Sequence, residues 1–175
     1  MNLPRVFAIA THIAGRPIIG FCYMLLASIL SGQSSPITSS RRPNFTGTWK
    51  LNLQLSGPVM PRGLEALVID IDHRDPVIRS AEIRKVAGKV TKGASSATID
   101  GIEHVTQSAP QKSVKEKKWW SADALMMHWE MTEDGTTYIS DIKQTLSGDG
   151  MVLTMSERYR EPGMERIRDW VFEKQ

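Results

Sequence analysis

From residue 44 onward the sequence predicts an all-β fold, an antiparallel up-and-down β-barrel of about ten strands. Three observations predict it. Apolar and polar residues alternate with period 2 in segment after segment. Turn-forming groups such as Asp134-Gly135, Gly148-Asp149-Gly150 and Pro162-Gly163 separate these segments at short intervals. No stretch after residue 43 carries a 3.6-residue apolar period of helical length. Short turns between successive strands imply antiparallel neighbours in a meander. A long meander must hide its edges, and closure into a barrel does so. The competing two-sheet sandwich needs long cross-sheet connections, which the sequence does not show.

Ahead of this part lies an apolar run, Ile18 to Leu30, preceded by Arg5 and Arg16 and followed by Ser31-Gly32-Gln33-Ser34-Ser35. A positive start, a short apolar core and small residues after it predict an apolar signal helix over residues 1–32, either a cleaved signal peptide or a signal anchor. The run is shorter than the ~20 apolar residues that span a bilayer comfortably. The expected location is therefore secreted or periplasmic. The alternative is membrane anchoring through residues 17–31, the only membrane contact expected. Residues 33–43, rich in Ser, Pro and Arg, read as a flexible linker.

The elements follow in order. In Asn44–Leu53 the odd positions Phe45, Gly47, Trp49, Leu51 and Leu53 form an apolar face. The glycine two before the tryptophan leaves room for a large ring. Gln54–Gly63 holds two prolines and two glycines, which exclude a regular element. It is either a lid over one mouth or an irregular surface loop. Strands are expected at Leu64–His73, Val77–Val86 and about Thr91–Ile99, the last running into a two-residue hairpin signal at Asp100-Gly101. Ile102–Gln107 and Lys112–Trp120 come next; the lysines of the latter suit an exposed or edge position. Ala124–Met131, Thr136–Leu146, Met151–Arg160 and Glu165–Glu173 complete the ten.

Phe45-Thr46-Gly47-Thr48-Trp49-Lys50-Leu51 resembles the first strand of the lipocalin and fatty-acid-binding-protein (calycin) superfamily, with its Gly-x-Trp signature. Gly57-Pro58, Asp100-Gly101-Ile102-Glu103 and Val171-Phe172-Glu173-Lys174 extend the likeness to bacterial secreted lipocalin-like domains over residues 44–175. The resemblance implies an up-and-down barrel that binds a small hydrophobic molecule. It also implies an arginine of a late strand, Arg166 or Arg168, packed across Trp49. Fatty-acid-binding proteins end in an Arg-x-Tyr that grips a carboxylate. Here Arg168-Asp169-Trp170 departs from that pattern, so the likeness does not extend to fatty-acid specificity.

Charge and chemistry narrow the function. The chain carries 22 Lys+Arg against 19 Asp+Glu, but residues 1–43 hold Arg5, Arg16, Arg41 and Arg42 and no acid. The folded part is thus near neutral, and no nucleic-acid partner is expected. The single cysteine, Cys22, lies in the apolar run, which excludes a thiol nucleophile in the folded part. His73, His104 and His128 fall on three separate strands without ligand spacing, so no metal and no cofactor is expected. Met127, Met131, Met151 and Met155 read as flexible apolar filling. Asp70 and Asp72 share a solvent face, and no hydrolase or phosphate-loop motif is present. Of Trp119 and Trp120, one is expected in the core and one over lysine stems.

The expected function is non-catalytic binding of a small hydrophobic or amphipathic molecule, the only partner foreseen. Trp49, Trp129, Tyr138 and Phe172 are its wall candidates, and Gln144, Glu157 and Arg168 its orienting groups. The alternatives are an interaction barrel with a filled interior and an enzyme using interior carboxylate and arginine groups.

Overall fold

The computed structural model describes residues 42–175, with Ser108 described by its backbone alone. The expected signal or anchor and all but the last two residues of the linker lie outside the described residues. Ten strands follow: β1 (Gly47–Leu51), β2 (Leu64–Arg74), β3 (Val77–Val86), β4 (Lys89–Thr98), β5 (His104–Ala109), β6 (Lys112–Ser121), β7 (Ala124–Glu133), β8 (Thr136–Leu146), β9 (Val152–Glu161) and β10 (Met164–Lys174). Tight turns make the meander. At Asp134-Gly135 both residues have positive φ, 51° and 76°, the geometry whose twist suits a two-residue hairpin.

The strands form one antiparallel sheet in the order β4-β3-β2-β1-β10-β9-β8-β7-β6-β5. First and last strands pair, Trp49 opposite Lys174 and Leu51 opposite Phe172. Closure, however, is incomplete. β4 and β5 are the two ends of the sheet and do not pair, so the architecture is a half-barrel rather than a closed barrel. The hairpin expected at Asp100-Gly101 is a crossing between the two edges instead. The Ile102 amide donates to Asp100 Oδ1 at 2.9 Å, and the Gly101 amide to the Lys118 carbonyl at 2.9 Å. The Ile99 amide donates to the Pro76 carbonyl at 2.6 Å. These bonds commit the turn to neighbours on either side of the gap, so the chain runs on. The edge is therefore β5; lysine-rich β6 lies inside it, between β5 and β7.

One end of the half-barrel is packed shut. Phe45, Trp49, Leu51, Ile71, Leu125, Leu153 and Phe172 form the core there. Trp120 of β6 stacks on Phe45 with ring centroids 6.1 Å apart, and its Nε1 donates to Asp75 Oδ1 at 3.1 Å. That contact joins two distant parts of the curled sheet and forms a floor. The opposite end, where β3, β6 and β8 meet their outer turns, is the mouth.

Two details of β1 differ from expectation. Leu53 does not continue the apolar face; it is exposed, because the chain turns at Asn52, whose Oδ1 accepts the amides of Gln54 and Leu55. Neither Arg166 nor Arg168 covers Trp49. Lys174 does, its Nζ 5.3 Å from the ring centroid, while Trp49 Nε1 donates to the Phe45 carbonyl at 2.8 Å. Gly47 is what admits the lysine: a Cβ there would meet Lys174 Cε at 2.7 Å.

β1 has 5 residues while β2 and β10 have 11 each. The loop after it occupies the space that a longer β1 would fill. The Gly57 amide donates to the Asp169 carbonyl at 3.1 Å, and Ser56 Oγ accepts the Val171 amide at 3.0 Å. Met60 packs on the core and Pro61 reaches the concave face.

Candidate functional site

Cross-strand partners in an antiparallel sheet share a face. The register therefore sorts the concave wall into rows. Nearest the floor run Trp120, Leu125, Gln144, Met155 and Trp170. Next come Lys118, Met127, Ile142, Glu157 and Arg168, then Glu116, Trp129, Ser140, Tyr159 and Arg166. Across from them stand Leu67 and Ile69 of β2 and Ile78, Ser80, Glu82 and Arg84 of β3. Between these walls lies a cavity of about 580 Å³.

Of the seven residues expected to contact a ligand, Trp129, Gln144, Glu157, Arg168 and Phe172 line this cavity. Trp49 and Tyr138 do not. Trp49 is fully buried in the floor, bonded within its own segment and covered by Lys174. Tyr138 lies opposite Met131, one row nearer the mouth than Trp129.

Glu157 is the most engaged side chain of the wall. Arg168 Nε donates to its Oε2 at 2.6 Å and Trp170 Nε1 to the same oxygen at 2.7 Å, while Ser140 Oγ donates to Oε1 at 2.6 Å. Burial alone would raise its pKa, but the donors from Arg168, Ser140 and Trp170 outweigh it and hold the carboxyl below its ordinary value. Arg168 in turn lies between rings, 4.8 Å from Trp170 and 5.4 Å from Tyr159. Burial, then its bond to Glu161 at 3.1 Å, pushes the Tyr159 hydroxyl up.

Two further charged pairs stand on the wall. Glu116 and Lys118, two apart on β6, are bonded directly. Glu82 and Arg84, two apart on β3, approach to 3.4 Å. The lysines of this segment read from sequence as solvated, yet Lys118 is only 7% exposed. The signal was its parity: positions 116, 118 and 120 share a face, and Trp120 is in the floor. Two wall atoms are buried without a partner, Gln144 Oε1 and Arg84 Nε.

A smaller recess of about 220 Å³ lies along the gap between the sheet edges, with Ser96 and Thr98 on one side and His104 and Thr106 on the other. Glu116 and Lys118 line both spaces. The three histidines among the described residues stay apart. His73 Nδ1 accepts the Phe45 amide at 3.3 Å, His104 Nε2 lies 2.9 Å from Asp100, and His128 Nδ1 lies 2.6 Å from Asp141. Burial lowers the His73 pKa against the pull of Asp75 and Asp72, so this floor ring favours its neutral form.

No family model matches the chain, and no curated protein matches it. Among solved structures it is similar to secretory abundant heat soluble protein 4 from Ramazzottius varieornatus, at 11% identity and a TM-score of 0.46, covering 75% of this chain and 94% of that one. That score is too low for the match to assign a fold or a role.

Proposed function

We propose that the half-barrel is a carrier: it binds one small hydrophobic or amphipathic molecule on its concave face and performs no chemistry on it. The observation that carries this reading is the unfilled interior. Protein interiors pack to crystal-like density, and in the floor Trp49, Phe45, Leu125, Leu153 and Phe172 are all fully buried. Directly above that floor the same strands leave about 580 Å³ open, within the range of about 300–1,000 Å³ usual for ligand sites. The alternative of a barrel filled by its own side chains is disfavoured by that space.

The wall chemistry also favours carriage over catalysis. A general base needs a free lone pair and a pKa near the working pH. Glu157 has its carboxylate held ionised by three donors, and Glu82 and Glu116 are each paired to a cation. The lipocalin-like motif of Gly47 and Trp49 supports the same reading as a resemblance. The signal-like N-terminal run supports a secreted or periplasmic setting.

Titration with Nile red, a neutral apolar dye, tests the carrier reading. The expected result is saturable binding at one dye per chain, with quenching of tryptophan emission through Trp129 and Trp170. Ile142→Trp, which fills the middle row, should weaken binding roughly tenfold while the circular dichroism stays that of an all-β protein. Non-saturable binding, or unchanged affinity in the filled variant, would contradict the proposal.

A further inference from the structure

We infer that the cavity selects an uncharged molecule, entering with a hydroxyl or N–H group foremost and laying its apolar body along the wall behind it. This rests on the carrier reading above. Two separate features of the wall lead to it.

The first is the pairing of charge. Glu157 faces Arg168 at 2.6 Å, Glu82 faces Arg84 at 3.4 Å, and Glu116 is bonded to Lys118. The charged side chains that line the cavity all belong to these three pairs; Arg166, at the β10 end of the third row, is not part of that lining, and its Nε donates to Met164 Sδ at 3.0 Å. A ligand carboxylate would leave water for a site whose cations are committed and whose carboxylates repel it. An ammonium would meet the converse. Burying a charge without a free partner is costly, whereas a neutral polar group loses far less on leaving water. Two of the pairs lie two apart on one strand, Glu116 with Lys118 on β6 and Glu82 with Arg84 on β3, and the third joins neighbouring partners of β9 and β10.

The second feature is Gln144. It sits in the innermost row, with Trp120, Leu125, Met155 and Trp170 as its neighbours along the sheet. Its side chain is 7% exposed, and Oε1 has no hydrogen-bond partner. A buried amide oxygen left unbonded among largely apolar side chains is a cost that native proteins rarely retain without a partner from outside the chain. A hydroxyl or N–H of a guest supplies that bond. The guest's body then passes Met155, Met127, Ile142 and Trp129 on its way toward the mouth. Amphipathic but uncharged is the description common to both features.

The test uses three competitors of one chain length, decan-1-ol, decanoate and decylammonium, displacing Nile red from the whole protein at neutral pH. Decan-1-ol is expected to bind at least roughly tenfold more tightly than either ion. Gln144→Leu, which keeps the volume, is expected to bind decan-1-ol roughly tenfold more weakly than the parent, read by calorimetry without the dye. Decanoate or decylammonium binding as tightly as the alcohol would overturn the inference and leave the carrier reading standing. Unchanged alcohol affinity in Gln144→Leu would overturn it as well. Absence of saturable Nile red binding would overturn both. The competitor series on the parent protein decides the point even if the variant folds poorly.

Discussion

Glu157 shows how much a single wall residue sets. With its carboxyl 8% exposed and Arg168 11% exposed, the pair is out of water, and removing one partner strands the other. Glu157→Gln is therefore expected to cost about 3–5 kcal/mol at neutral pH, read by urea denaturation. The pH dependence has a definite sign. The folded carboxyl titrates below its unfolded value, so its stabilisation is complete above the ordinary carboxyl range and fades as pH falls through the lower, folded value. The gap between parent and Glu157→Gln should narrow over that acidic window; a gap constant down to strong acid would contradict the assignment. Trp49 is a different kind of residue. Fully buried and away from the cavity, it should cost about 3–5 kcal/mol as Trp49→Ala with Nile red affinity little changed. A loss well below 1 kcal/mol would remove it from the floor. Sequence parity alone placed Gln144, Glu157 and Arg168 on the apolar face. It could not show that Glu157 is saturated with donors and Gln144 bare, because partners arrive from other strands.

At the scale of elements, the two informative pieces are the loop after β1 and the unpaired edges. Ser56 is buried, donates from Oγ to the Asn52 carbonyl at 2.7 Å and accepts the Val171 amide. Ser56→Ala strands that amide and should cost about 1–3 kcal/mol by chemical denaturation. No measurable loss would show that the loop is an ordinary surface connection. Hydrogen exchange should separate the edges from the centre: amides of β4 and β5 facing the gap exchange fastest among the strands, those between β9 and β10 slowest. Uniform protection would mean that the gap closes in solution. All ten strands were legible because period-2 alternation and turn residues are local signals. The edge positions were not. Asp100-Gly101 reads as a hairpin because hairpin chemistry is local, while its actual bonds go to Pro76 and Lys118, which only the curl of the sheet brings near. The same holds for Lys174 over Trp49, a contact set by the pairing of the first and last strands.

The molecule as a whole has one asymmetry: a floor of fully buried side chains and, above it, an amphipathic cup whose lining charges are paired. A closed barrel, expected from the need to hide edges, would surround that cup completely. The half-barrel leaves a slit beside it, and Glu116 and Lys118 face both spaces. If the cup is a carrier site, it holds a molecule in the cell. Native mass spectrometry of the protein purified from its own host, without detergent or added lipid, tests this most directly. The expected result is a discrete mass increment of one small, uncharged organic molecule per chain, lost on denaturation and displaced by Nile red. A single peak at the mass of the polypeptide alone, together with no saturable uptake of Nile red, would contradict it.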